Sequence, residues 1–289
     1  MKPNFFIVGA AKAGTTNLSY YLNLHPKVFV SELNEPYFFC KWDVSEDFKR
    51  KSMITDEKKY LKLFEKAKNH FAIGEATPSY LHCPNAASKI KEKFPDSKII
   101  ISLRNPIERA QSSYLSNEFM RKDDLNFFEM IKLHQIELEQ KKFNPYNILE
   151  PGFYSKHIKR FQKYFDSKNL KIIIFEDYIK DTKNHIFEIL EFLELDSNIV
   201  FSEQFKNSYR IPKNKIFKTI LENKTFRNIA THTIPNITRE KIGDKFLLKE
   251  TKKPDITSIE RDFLKKFYLN EVKMLESLLK RKFPWSDFD

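Results

Sequence analysis

Asn4-Phe-Phe-Ile-Val-Gly9-Ala-Ala-Lys12-Ala-Gly14-Thr15-Thr16 is the stretch that decides the fold. A run of apolar, strand-forming residues enters a loop of small residues, and residues 16–24 then have the spacing of a helix. Small residues let main-chain N–H groups approach an anion closely. The helix start adds its partial positive charge, and Thr15 and Thr16 add hydroxyl donors. The stretch thus has the physical make-up of a phosphate cradle. The nucleoside-triphosphatase pattern G-x-x-x-x-G-K-[ST] shares the glycine spacing but has lysine where this chain has Thr15. Here the lysine stands earlier, at Lys12, suited to an oxygen of a shorter anhydride rather than to a γ-phosphate.

Outward from this stretch, further strands are expected at 27–31, 71–75, 98–104 and 171–176. Helices are expected at 16–24, 57–68, 86–94, 107–121 and 181–193. The strand runs are continuously apolar rather than alternating, which suits a parallel sheet covered on both faces. The β-α-β order predicts an α/β fold, a P-loop-like central parallel sheet flanked by helices. After Leu125 the pattern turns mainly helical, a C-terminal helical elaboration. Thr257-Ser-Ile-Glu260 is a capping-box pattern that opens its last long helix. Ile259, Phe263, Phe267 and Leu275 are its expected core stripe, and Pro284 its expected end. Residues 206–255 are the least regular. The simplest parse is one domain over 1–289.

The chain has 289 residues, 51 Lys+Arg and 39 Asp+Glu, a formal net charge of +12. With 41% hydrophobic and 15% aromatic residues it can bury a core, which excludes collagen-like, coiled-coil and disordered classes. Two cysteines cannot build a disulfide framework or a thiolate zinc site, and no metal is expected. No stretch approaches the ~18 uncharged residues of a membrane span. The start has no secretory character, its apolar run being broken at Lys12. A reducing, cytoplasmic location is the resulting expectation. The excess charge is concentrated at 206–253, with 13 Lys/Arg against 4 Asp/Glu. It implies an anionic partner without saying which. The basic stretches lack the Gly-aromatic interleaving of an RNA-binding signature, so nucleic acid is not expected.

A second anion motif follows the fourth strand: Arg104-Asn-Pro-Ile-Glu-Arg109-Ala-Gln-Ser112-Ser-Tyr114. Arg104 falls where the strand ends, the ligand edge of an open parallel sheet. Pro106 opens the next helix, and Ser112 lies about two turns along it. A guanidinium fork and a hydroxyl converging on one anion suit a phosphate monoester. Taken alone, Arg104 is equally readable as a salt-bridge partner.

Together these segments resemble the sulfotransferases that use 3′-phosphoadenosine 5′-phosphosulfate (PAPS), most of all the heparan-sulfate-type and related bacterial members. Residues 9–16 resemble the family's 5′-phosphosulfate loop, and residues 104–112 its 3′-phosphate motif. Asn34-Glu35-Pro-Tyr37-Phe38-Phe39 resembles its acidic segment, and Gly74-Glu75-Ala76-Thr77-Pro78-Ser79-Tyr80 its E-x-T-P-x-Y segment. Pro151-Gly152-Phe153-Tyr154 resembles its G-x-Y block, and Pro284-Trp285 its ending. The match is close over about 4–180 and loose beyond. Two departures stand out: Ala76 where the carbohydrate-modifying branch often has lysine, and Tyr37 where it commonly has histidine.

The resemblance implies PAPS as donor and a hydroxyl or amine as acceptor, a small molecule or a glycan. Lys12, Ala13, Gly14, Thr15 and Thr16 would hold the 5′-phosphosulfate, Arg104 and Ser112 the 3′-phosphate, and Tyr154 would help hold the nucleotide. Arg210, after Asn207, would replace a family lysine on the donor's phosphates. Lys12 would stabilise charge on the leaving oxygen, and Glu35 would accept the acceptor's proton. Glu75 is the alternative base and also reads as a buried structural partner; His25, His70 and His82 are weaker candidates. Asp177 resembles a Walker-B acid, with capping as its other reading. Residues 113–150 and 206–255, with Phe119, Phe127, Phe128 and Tyr146, are the expected acceptor walls. An ATP-dependent kinase would require Gly-Lys-[Ser/Thr]. A nucleic-acid binder would account for the charge but not for two anion motifs on strand ends. Oligomeric state is not readable.

Overall fold

The computed structural model describes residues 1–40, 53–117, 124–142, 144–197, 210–213 and 248–289. Its centre is a five-stranded parallel sheet in the order β2-β3-β1-β4-β5. The strands are β1 (Phe5–Gly9), β2 (Val28–Val30), β3 (Ala72–Ala76), β4 (Lys98–Leu103) and β5 (Leu170–Ile174). Each falls on an expected run. The helices are α1 (Thr15–Leu22), α2 (Glu57–Lys62), α3 (Ala86–Lys93), α4 (Pro106–Asn117), α5 (Phe127–Glu139), α6 (Tyr154–Gln162), α7 (Phe175–Lys180), α8 (Thr182–Phe192) and α9 (Ser258–Leu279).

The uninterrupted apolar runs are explained by two cores. Phe6 and Val8 of β1, with Ile99 and Ile101 of β4, face one core, completed by α3, α5, α6 and α9. Phe5, Ile7 and Ile100 face the other, against Leu18 and Leu22 of α1 and Ile186, Ile189 and Leu190 of α8. Neighbouring strand residues point to opposite faces, so a strand covered on both must be apolar throughout. Full burial of each such side chain contributes about 1.5–3 kcal/mol.

α9 departs from expectation in its rotation. Its buried residues are Leu264, Tyr268, Glu271, Val272 and Leu275, whereas Ile259 is 66% exposed. Phe263 and Phe267 pack at the margin of the core. The predicted stripe began one turn too early, in the capping turn, where Thr257 and Glu260 form the expected capping box. The helix also stops at Leu279, ahead of Pro284, because Lys280 takes a left-handed conformation (φ 51°). Within the irregular region, Arg210–Pro212 and Leu248–Glu250 pair as antiparallel strands β6 and β7.

Candidate active site

β1 and β4 are neighbours, so the loops that leave them lie side by side at the carboxyl edge of the sheet. Beyond the register pair Gly9–Ile101, three contacts join the loops. The Ala10 N–H donates to the Ser102 carbonyl (2.6 Å). The Ser102 hydroxyl donates to the Ala13 carbonyl (2.6 Å), and Arg104 Nη1 donates to the Lys12 carbonyl (3.1 Å). Lys12 and Gly14 both have left-handed backbones (φ 70° and 78°). A Cβ on Gly14 would stand 2.7 Å from the Phe175 ring, so this position requires glycine on two counts. α1 then begins with no side-chain cap and no acid in its first turn, which leaves its positive end turned to the loop. Ala13 and Thr15 are buried; Lys12 and Thr16 are exposed.

Arg104 is half-buried, with its guanidinium 4.8 Å over the Phe175 ring. Its Nε is buried and has no partner among the described residues, and burial pulls the group below its ordinary pKa. Among the described residues it makes no salt bridge, although Glu108 and Glu176 act on it electrostatically. Ser112 is half-buried on α4 and shares its face with Glu108, one turn earlier. Tyr154 is fully buried and donates its hydroxyl to the Arg104 carbonyl (2.8 Å). It therefore reaches the site through the arginine's backbone.

On the other side of β1, the acidic segment leaves β2. The Glu35 N–H donates to the Ala76 carbonyl at the end of β3 (3.2 Å). Phe38 stacks on Tyr60 with centroids 4.1 Å apart, and Phe39 meets Phe6, Tyr80 and Phe94 edge-on. These two rings anchor the segment in the core and leave the Glu35 side chain half-buried. Tyr37, 2% exposed, donates its hydroxyl to the Glu35 carboxylate. Glu35 and Arg104 thus flank the β1 loop from opposite directions in the strand order.

Glu75 is a buried structural partner. It is fully enclosed and accepts from Tyr60 (2.7 Å), Thr77 (2.6 Å) and Tyr80 (3.0 Å). Burial raises its pKa to about 7 despite those donors. His25 is buried; its Nδ1 accepts the Lys27 N–H and its Nε2 faces Asp196 at 3.2 Å. Asp177, in the first turn of α7, pairs with Arg281 (3.0 Å). Cys40 and Cys83 are buried, and among the described residues neither forms a disulfide. Phe119, Asn207 and the side chain of Arg210 lie outside the described residues. A cleft of about 300 Å³ runs between α4 and the start of α9, past Gln111, Tyr114, Phe127 and Glu260. Among the described residues no His/Cys/Asp/Glu group could hold a metal, and no helix is long and apolar enough to cross a membrane.

Sequence reasoning missed four contributors. Ser102 sits inside a strand, where only its polarity in an isoleucine run marks it. Phe175 and Glu176 fall at the end of the expected strand 171–176, yet they open α7. Asp287 is remote in sequence and joins the site's support only through the fold.

The sulfotransferase domain model matches residues 2–276. The chain is 28% identical over 206 residues to the mouse (Mus musculus) bifunctional heparan sulfate N-deacetylase/N-sulfotransferase 4, covering 70% of this chain and 23% of that protein. It spans from about a fifth to a half of the length of the curated relatives it matches. The crystal structure of a sulfotransferase from Alicyclobacillus acidocaldarius superposes with a TM-score of 0.76 at 26% identity, over 99% of both chains. Mouse sulfotransferase SULT7A1, solved with 3′-phosphoadenosine 5′-phosphate (PAP), shares the fold at TM-score 0.51 and 13% identity, over 96% of this chain and 89% of that one. A family model over nearly the whole chain, on the sheet and loops described above, means that this protein belongs to the sulfotransferase-domain family.

Proposed function

We propose that residues 1–289 act as one domain that transfers a sulfuryl group from PAPS to a hydroxyl or amine of an acceptor. The observation that carries this reading is the joining of two anion-suited loops, with Arg104 Nη1 bound to the Lys12 carbonyl. A nucleotide phosphorylated at both 5′ and 3′ positions matches both. Its 5′ end fits the small-residue loop and the start of α1; its 3′-phosphate fits Arg104, whose Nε is buried without a partner among the described residues. ATP, without a 3′ group, would leave Arg104 unused.

Sulfuryl transfer, like phosphoryl transfer, is governed by positioning and electrostatics around an in-line displacement. The acceptor oxygen or nitrogen forms a bond to sulfur as the bond from sulfur to the 5′-phosphate oxygen breaks. Glu35 takes the acceptor's proton. Lys12 meets the charge that develops on the leaving phosphate. Gly14, Thr15 and Thr16 hold that phosphate through the helix start, Arg104 and Ser112 hold the 3′-phosphate, and Tyr154 fixes the arginine's backbone. Arg210 adds a further cation on the donor side.

The acceptor in this reading is a glycan or glycan-bearing metabolite, by kinship with the heparan sulfate relative. Ala76, in place of a lysine common in that branch, argues for an acceptor other than heparan sulfate itself. Asp255 and Glu260 on the α4–α9 cleft disfavour that cleft for a sulfated sugar. A count of two cysteines, too few for a disulfide framework, supports the cytoplasmic location proposed with this reading. The test is transfer of radiolabelled sulfate from PAPS to a panel of neutral and acidic oligosaccharides, with phenols and amines as controls. Labelled glycan from the wild type and none from Lys12→Ala is the expected result. Labelling of phenols or amines alone would overturn the glycan assignment.

A further inference from the structure

The peptide unit that joins Arg104 to Asn105 is held at both of its polar atoms. Its carbonyl accepts from Tyr154 (2.8 Å), and its N–H donates to Glu176 Oε1 (2.9 Å). The Asn105 side chain is also fully engaged. Its Oδ1 accepts the Ile107 N–H (2.9 Å), and its Nδ2 donates to Asp287 Oδ2 (2.8 Å). Asp287 is the third residue from the C-terminus of this sequence, and its side chain is only 12% exposed.

The partners of Asn105 are themselves tied to the same end of the chain. Glu176 Oε2 accepts the indole N–H of Trp285 (2.9 Å), and Trp285 stacks on Phe283 with centroids 4.4 Å apart. Both Asp287 oxygens accept from Arg261 Nη1 (2.8 and 2.9 Å). Arg261 Nη2 reaches Glu108 (2.9 Å), whose other oxygen pairs with Lys253 (3.0 Å). The short helical turn Ser286–Phe288 thus braces the loop that carries Arg104 from behind, while the guanidinium faces Lys12 and Phe175. A partly buried network of paired polar groups fixes geometry more tightly than apolar packing alone.

We propose that Asp287, acting with Glu176 and Trp285 on Asn105, is a positioning residue for the arginine that binds the donor's 3′-phosphate. This rests on the reading of Arg104 given above. Loss of the brace lets the peptide between Arg104 and Asn105 rotate, and the cost falls on the 3′-phosphate rather than on the 5′ end of the nucleotide.

The experiment is calorimetric titration of the full chain with PAP and with AMP, for the wild type, Asp287→Asn, Asp287→Ala and Lys282→Ala. Melting temperatures and the KM for PAPS are recorded alongside. Asp287→Ala is expected to weaken PAP about 3- to 10-fold, the worth of one lost hydrogen bond, and AMP less than about twofold. Asp287→Asn keeps the shape and one accepting oxygen, and falls between. KM for PAPS rises while kcat at saturating PAPS holds. Lys282→Ala removes the nearby ion pair with Glu276 without touching Asn105, and keeps the wild-type ratio of PAP to AMP affinity. Equal weakening of both nucleotides, or a lowered melting temperature with an unchanged ratio, would overturn the positioning role. A wild type that does not distinguish PAP from AMP would instead overturn the assignment of Arg104, and this proposal with it.

Discussion

Tyr37 donates its hydroxyl to the Glu35 carboxylate, and both residues hold left-handed backbones, with φ of 55° and 53°. Two such non-glycine residues so close together each cost about 1–3 kcal/mol, a cost sustained by the surrounding structure and characteristic of functional segments. The rings of Phe38 and Phe39 supply that support. With Glu35 as the proton acceptor, Glu35→Gln lowers kcat by about 10²–10⁴-fold and leaves PAP affinity unchanged. Tyr37→Phe loosens the carboxylate without removing it, so kcat falls about 3- to 10-fold at an unaltered KM for PAPS. Steady-state kinetics and PAP titration of the two variants check this. Wild-type turnover in Glu35→Gln would move the base elsewhere.

Lys12 stands at the turn of the β1 loop, and its own carbonyl is held by Arg104. Lys12→Ala is expected to lose turnover by about 10²–10³-fold, the scale of removing an electrostatic donor from a developing charge. The fold is retained, because the side chain is exposed. Single-turnover transfer rates and a thermal melt separate the two effects. Lys12→Arg recovers only part of the rate, since a planar fork does not replace a compact cation.

Gly14 allows a direct test of the loop's shape. Gly14→Ala must hold φ near 78°, at about 1–2 kcal/mol, and must also push the Phe175 ring from 2.7 Å. Phe175 underlies Arg104, so the displacement reaches both anion loops. PAP binding is expected to fall well over tenfold, with a melting temperature lower by several degrees. Gly74, remote from the loops, is the contrasting site: alanine there meets the Phe5 ring and lowers stability without selective loss of PAP.

Glu75 sets a pH signature. Burial raises its pKa to about 7 in the fold, above the usual carboxyl range. The folded protein therefore binds more protons than the unfolded chain between about pH 4.5 and 7. Stability from this group is present in acid and declines as pH rises to about 7, by roughly 3 kcal/mol. His157 acts in the opposite sense. Burial pushes its pKa down to about 3, so it contributes stability above about pH 6.5 that is lost as pH falls. Denaturant melts of wild type and Glu75→Gln at pH 5, 6, 7 and 8 isolate the first effect. Because His157 offsets the Glu75 slope below about pH 6.5, the readout is the difference: the stability advantage of wild type over Glu75→Gln shrinks from pH 5 to pH 7, and a difference that does not change with pH would contradict the assignment.

The five strands and the phosphate-cradle loop were legible because each depends on local sequence: apolar runs, small residues and a helix start. Arg104 was legible from its place after such a run. The rotation of α9 was not, since its capping turn carries an apolar residue, Ile259, that the core never reaches. The roles of Phe175, Glu176 and Asp287 were hidden for a different reason. Each acts on a residue at least 70 positions away, and no periodicity encodes such a contact. Tyr154 was placed at the nucleotide by motif, but only the fold puts its hydroxyl on the Arg104 carbonyl.

In the proposed function, Arg104 and the β1 loop together recognise a nucleotide carrying both 5′ and 3′ phosphates. Calorimetric titration of wild type and Arg104→Ala with PAP and AMP, without added metal, tests this recognition most directly. Wild type is expected to bind PAP far more tightly than AMP, and Arg104→Ala to remove this preference while AMP affinity stays the same. Equal affinity of wild type for the two nucleotides, or equal loss of both in the variant, would contradict it.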